Sequence, residues 1–246
     1  MNTTSNRVAI VTGASRGIGA AVAERLARDG FTVVINYAGN ARHAEEVAGH
    51  IEQDGGKAIT AQADVSDSRA VARMFDAVEA AFGGVDVLVN NAGIMRLATI
   101  ADGDDTLIES QIATNLKGSL NTMREAAKRL RAGGRIVNFS TSVVGLKLET
   151  YGVYAATKAA IEVLTGILAK ELRGRSITVN AVAPGPTATA LFLDGKSPQL
   201  IEHMAKMNPL ERLGTPQDIA AAVAFLVGSD GGWVNAQVLR ANGGMV

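Results

Sequence analysis

Seven short β-branched runs alternate with longer stretches of helical period, and a glycine-rich turn directly follows the first run. Together these predict an α/β fold: a doubly wound, Rossmann-like parallel sheet of about seven strands with helices on both faces. The first strand is Val8-Ala9-Ile10-Val11, the second Thr32–Ile35 and a weaker third Ala58–Ala61. Val85–Val89, Arg135–Phe139 and Ile177–Val182 follow, and Gln237–Arg240 supplies a short seventh. These runs are continuously apolar rather than alternating, which indicates a sheet covered on both sides.

Helical segments fill the intervals. Ala20 to Asp29 closes on Gly30, Ala41 to Gln53 ends before Gly55-Gly56, and Asp67 to Phe82 ends before Gly83-Gly84. Long helices are expected at about 104–131 and 153–173. The stretch from Pro186 to Asn208 breaks the rhythm, with Gly195, Pro198 and Pro209 as punctuation. A long connection at the carboxyl edge of such a sheet reads as a substrate lid, placed at about 186–209. Residues 7–246 read as one domain, because 246 residues suffice for one large α/β unit and no linker composition interrupts them. Residues 1–6 read as a short polar tail.

Composition narrows the function classes. The formal net charge is zero, so nothing suggests a nucleic-acid partner. There is no cysteine, which excludes disulfides and thiolate catalysis, and the three histidines show no metal spacing. The run Val8–Val11 is too short for a signal or membrane segment. A cytoplasmic protein without membrane attachment is the expectation.

The first strand ends in Thr12-Gly13-Ala14-Ser15-Arg16-Gly17-Ile18-Gly19, and a helix starts at once. Glycines here allow a tight turn and close approach of a pyrophosphate, and the helix start favours an anion. The spacing is G-x3-G-x-G rather than G-x-G-x-x-G. Gly13, Ser15, Arg16, Gly17, Ile18 and Gly19 are therefore candidate cofactor contacts. At the end of the second strand an acidic residue would bind a ribose diol and repel a 2′-phosphate. The chain has Asn36-Tyr37-Ala38 instead, and Arg16 can reach toward a 2′-phosphate. NADP(H) is the expected cofactor, with NAD the alternative.

Thr12-Gly13-x3-Gly17-x-Gly19, Asn90-Asn91-Ala92-Gly93, Ser142, Tyr154-x3-Lys158 and Pro184-Gly185 occur in this order. The set resembles the short-chain dehydrogenase/reductase family over Val8 to Gly244, with most likeness to its 3-oxoacyl-[acyl-carrier-protein] reductase-like branch. The resemblance implies that Tyr154 is the general acid in reduction and that Lys158 binds the nicotinamide ribose and lowers the tyrosine pKa. It implies that Ser142 hydrogen-bonds the reacting oxygen and that Asn115 holds a water in a proton relay. Asp64 and Val65 would flank the adenine, Asn91, Ala92 and Gly93 would line the cofactor, and Pro184, Gly185 and Thr187 would cover the nicotinamide end.

The chemistry is coherent on its own terms. Hydride addition to a carbonyl carbon leaves charge on oxygen, which must receive a proton. A cation near a phenol favours the phenolate, and Tyr154 and Lys158, four apart, share one helix face. Tyr151 lies three residues earlier but has no lysine at the fourth position after it. Ser140, Thr141 and Ser142 all follow the fifth strand. Ser142 is chosen because Ser142-Val143-Val144-Gly145 matches the family's local pattern, although the segment from Ser142 to Tyr154 is about one residue shorter than that pattern. The leading expectation is an NADPH-dependent reductase of a ketone or 3-oxoacyl-type carbonyl. An NAD-dependent alcohol dehydrogenase and a non-catalytic NADP sensor are the alternatives. A partly apolar pocket is expected from about 94–97, 143–151 and 186–208. The family further implies a homotetramer packed through the helices at about 104–131 and 153–173.

Overall fold

A computed structural model describes residues 7–246, so the expected tail at 1–6 lies outside the described residues. The chain alternates strand and helix through its first half. These elements are β1 (Val8–Val11), α1 (Gly17–Arg28), β2 (Thr32–Tyr37), α2 (Ala41–Gln53), β3 (Lys57–Gln62), α3 (Ser68–Phe82) and β4 (Val85–Asn90). Then come α4 (Asp105–Gln111), a π-helical turn (Ile112–Gly118), α5 (Ser119–Arg129), β5 (Leu130–Phe139), α6 (Val143–Leu146) and α7 (Gly152–Glu171). The chain closes with β6 (Thr178–Pro184), α8 (Ala190–Leu193), α9 (Pro198–Lys206), α10 (Pro216–Val227) and β7 (Val238–Ala241).

The seven strands form one sheet in the order β3-β2-β1-β4-β5-β6-β7, and every neighbouring pair is parallel. The order reverses between β1 and β4, so a crevice opens beyond their carboxyl ends. Two apolar cores explain the continuous strand runs. On one face, side chains such as Val33, Ile35 and Val89 pack under α1, α2 and α10. On the other, Ile10, Leu88 and Ile136 pack under α3, α5 and α7.

The helix expected at 104–131, the start of β5 and α10 depart most from expectation. The helix expected at 104–131 is interrupted by the π turn, which takes in an extra residue where the buried Asn115 turns its amide inward. That helix ends at Arg129, and β5 begins five residues early, because the backbone makes an irregular strand through Arg131–Gly134 with a register shift against β4. α10 went unanticipated. Its signal is present in Thr215-Pro216-x-Asp218, where the Thr215 hydroxyl caps the Asp218 amide and the Asp218 carboxylate accepts from the Thr215 amide. By length and composition α7 is apolar enough to cross a membrane, but here it packs along β6 and carries both Tyr154 and Lys158.

Candidate active site

The floor of the crevice is the glycine loop, fastened to the end of β4. Thr12 Oγ1 accepts from the amides of Asn91 and Ala92, both at 3.0 Å. Asn91 Nδ2 returns bonds to the carbonyls of Thr12 (2.9 Å) and Gly13 (3.0 Å). Glycine is required at Gly13, whose φ is +61° and where a Cβ would sit 2.9 Å from Ala92 Cα. At Gly19 a Cβ would lie 2.5 Å from both Asn91 Nδ2 and Gly13 O. Thr12 is thus a brace that the motif contained but that sequence reasoning did not single out.

The residues present fit a dinucleotide. Arg16 is the N-cap of α1 and gives it no side-chain cap, and the first turn holds no acidic residue. The leading N–H groups of α1, helped by the helix dipole, are open to a pyrophosphate. Arg16 itself is exposed and enters no ion pair among the described residues. Ile18, Asn91 and Gly93 line the cleft.

The end of β2 does a different job from the one expected. The Asn36 side chain is buried. Its Nδ2 donates to Ala61 O (3.1 Å) and Ala63 O (3.0 Å), and its Oδ1 accepts from Gly13 N at 3.4 Å. Asn36 therefore ties β2, β3 and the glycine loop together, and its amide is committed to protein. Tyr37 packs against the core and Ala38 is exposed, its carbonyl accepting from Gln62 Nε2. Asp64 turns its carboxylate onto Ser66, accepting from its amide (2.9 Å) and hydroxyl (2.8 Å). Val65 is buried, and its carbonyl accepts from Asn121 Nδ2 at 2.9 Å.

Tyr154 lies in the first turn of α7, with Lys158 one turn on. The Lys158 Nζ is 5.9 Å from the Tyr154 ring centroid and donates to Phe139 O at 2.9 Å. A Cβ on Gly93 would meet Lys158 Nζ at 3.5 Å and Asn115 Oδ1 at 3.3 Å, so these three groups converge. Burial pulls the Lys158 ammonium down to about 8 and pushes the Tyr154 phenol up to about 12. The direction for Tyr154 is opposite to the expected depression, because desolvation of the phenolate dominates. A hydrogen bond with Thr141 pulls the other way, and Tyr151 adds to the rise. The Tyr151 and Tyr154 rings meet edge-on with centroids 6.4 Å apart.

Thr141, Ser142 and Tyr154 all line the cleft, and Thr141 is the hydroxyl that acts on the phenol, lowering its pKa. Ser142 Oγ donates to Ala183 O (3.3 Å) and accepts from Asn242 Nδ2 (2.9 Å), so it faces β6 and β7. The missing residue between Ser142 and Tyr154 explains the shift, since it moves the hydroxyl that faces the phenol back by one position. Asn115 also departs from expectation. Its Oδ1 accepts from Ile94 N (2.8 Å), and its Nδ2 donates to Ile94 O (2.9 Å) and Thr157 Oγ1 (3.3 Å). The side chain braces the loop after β4 against α7 and leaves no donor aimed at a relay water.

The far wall comes from Pro184, Gly185 and the segment after them. Pro184 O accepts from Ser142 N at 2.9 Å, and Thr187 Oγ1 donates to Gly185 O at 2.9 Å. Leu191 and Phe192 of α8 and Met204 of α9 close over the cleft, with Ile94, Met95 and Leu146 opposite. Thr189 Cγ2 would be 3.6 Å from a Cβ on Gly17, so this segment approaches the glycine loop. Leu148, Met204 and Met207 fall within the segments expected to form the pocket and Met245 lies outside them, whereas Leu97 and Val144 lie within those segments but do not line this cleft. Among the described residues Lys158 is the only charged side chain on its lining.

This geometry has close relatives. A family model described as enoyl-(acyl carrier protein) reductase matches residues 13–246. A short-chain type dehydrogenase/reductase of Picea abies is 49% identical over 250 residues, covering 98% of this chain and 92% of the relative. A protein of Arabidopsis thaliana named NADPH-dependent aldehyde reductase-like, chloroplastic, is 45% identical over 98% of this chain and 95% of its own length. The crystal structure of a short chain dehydrogenase from Burkholderia cenocepacia J2315 in complex with NADP superposes with a TM-score of 0.92 at 39% identity, covering 99% of each chain. With a parallel seven-stranded sheet, the braced glycine loop and the Tyr154–Lys158 turn, the chain belongs to the short-chain dehydrogenase/reductase family of oxidoreductases.

Proposed function

We propose that the protein is an NADPH-dependent reductase of ketone or 3-oxoacyl-type carbonyls, with Tyr154 as the proton donor. The observation that carries this reading is a half-buried phenol on the cleft wall, with the Thr141 hydroxyl acting on it and a lysine ammonium one helical turn away. A phenol that burial raises above its usual value carries its proton at neutral pH, as a general acid in reduction must. NADPH over NADH is supported by the absence of a carboxylate at the end of β2, by the exposed Arg16, and by the cofactors that the relatives' names carry.

When bound, the dihydronicotinamide supplies the hydride. Tyr154 passes its phenolic proton to the substrate oxygen, and the Thr141 hydroxyl donates a hydrogen bond to the same oxygen as charge develops there. Lys158, between Gly93 and the Phe139 carbonyl, offsets the negative charge left on the phenol oxygen. Asn115 positions the Gly93–Ile94 turn. The segment at 186–209 acts as a lid that excludes water. A cytoplasmic homotetramer completes the proposal. Apolar Ile112, Leu120, Val163 and Ile167 are exposed on the π turn, α5 and α7, where a partner's helices would cover them. A monomer in sedimentation would refute the assembly. The function itself is tested by following NADPH consumption against alcohol formation with a panel of aldehydes and ketones. Failure to reduce any of them overturns it.

A further inference from the structure

The cleft has one wall that neither the sheet nor the segment at 186–209 supplies. After β7 the chain turns back through residues 242–246, and Met245 lines the cleft together with Met204 and Met207. The buried Asn242 holds this turn from both sides. Its Oδ1 accepts from the amides of Gly244 (3.0 Å) and Met245 (3.2 Å). Its Nδ2 donates to Ser142 Oγ (2.9 Å) and to Val246 O (3.4 Å), joining positions 100 residues apart. Two packing contacts complete the clasp. A Cβ on Gly145 of α6 would lie 3.2 Å from Val246 Cγ2, so the turn rests on a residue without a side chain. Gly243, at φ +69°, presents its bare Cα to Asn208, and a Cβ there would lie 2.5 Å from Asn208 Oδ1. Asn208 in turn finishes α9, donating to the carbonyls of Ala205 and Arg212, both at 2.9 Å.

We propose that Asn242 is a positioning residue that fixes residues 242–246 as the substrate-side wall, and that Met245 sets the size of the carbonyl compound that fits. The proposal rests on the carbonyl-reductase reading for its substrate. A cleft whose only charge among the described residues is Lys158 selects neutral, apolar aldehydes and ketones by shape. Met245 occupies that space with a polarisable, flexible chain, which adapts only as far as its anchored backbone allows. Ser142 belongs to this clasp, its hydroxyl held between Ala183 O and Asn242 Nδ2.

The test compares propanal with 1-naphthaldehyde as substrates for wild type, Met245→Ala, Asn242→Ala and Ser142→Ala, with kcat and KM measured separately. Met245→Ala is expected to raise the ratio of kcat/KM for naphthaldehyde over propanal by at least about tenfold, chiefly through KM, since each methylene of pocket space is worth about that much discrimination. Asn242→Ala and Ser142→Ala move the ratio in the same direction. Hydrogen exchange at the Gly244 and Met245 amides, protected in wild type, accelerates about tenfold or more in Asn242→Ala. An unaltered ratio in Met245→Ala overturns the proposal, as does wild-type exchange in Asn242→Ala. Were wild type to reduce neither aldehyde, the function reading would fall, and unprotected Gly244 and Met245 amides in wild type would sink the clasp separately.

Discussion

Replacing Thr141 by valine keeps the shape of the side chain and removes its hydroxyl. Thr141 Oγ1 accepts from Val143 N at 3.3 Å, which leaves its one O–H free to donate, to the phenol before a carbonyl binds and to the substrate oxygen after. Removing one such donor from a developing oxyanion costs about 10²–10³ in kcat, about 2.7–4 kcal/mol. The same hydrogen bond pulls the Tyr154 phenol down, so its loss leaves the phenol protonated and the general acid intact. The fall is therefore expected in kcat, with a smaller change in KM. Ser142→Ala removes a hydroxyl committed to Ala183 O and Asn242 Nδ2, and its kcat is expected to fall less than about tenfold, in line with a lost neutral hydrogen bond of about 1 kcal/mol. Steady-state reduction of propanal under saturating NADPH reads both variants. A Ser142→Ala enzyme that loses a hundredfold while Thr141→Val stays near wild type would refute the assignment.

Two further outcomes follow from the same geometry. Lys158 is a base whose pKa burial lowers to about 8, so it is charged below that value and neutral above it. The rate of reduction should accordingly fall as pH rises through about 8, while Tyr154 keeps its proton well beyond. A flat profile up to about pH 10, near the usual lysine value, contradicts the role given to Lys158. Arg16→Ala should weaken NADPH binding about tenfold or more, in line with the loss of a charge-assisted contact to a 2′-phosphate, and change NADH binding far less. Fluorescence titration with both nucleotides measures this, and an equal effect on the two removes Arg16 from cofactor selection.

The elements that were legible from sequence are those coded by short spacings. The glycine loop, the strand–helix alternation and Tyr154-x3-Lys158 each depend on residues within one or two turns of each other. The features that escaped depend on distant partners. Whether Thr141 or Ser142 faces the phenol is decided by the intervening chain up to Tyr154, twelve residues from Thr141 and eleven from Ser142, and the one-residue deficit before Tyr154 is the available signal. Asn36 was read as a cofactor contact because it ends a strand beside the glycine loop, but its amide meets the carbonyls of Ala61 and Ala63 on β3. Met245 reaches the cleft only because Asn242 joins β7 to Ser142, a pairing that no local pattern announces. The direction of the Tyr154 shift escaped for a similar reason: the i, i+4 rule locates the lysine but says nothing of the desolvation that raises the phenol.

The measurement that bears most directly on the account is Tyr154→Phe, assayed for NADPH affinity and for turnover on the same preparation. Removing only the phenolic oxygen should leave NADPH bound with near wild-type affinity and lower turnover by about 10²–10⁴-fold, the usual worth of a positioned general acid. A phenylalanine enzyme that turns over at the wild-type rate would contradict the proton-donor role of Tyr154.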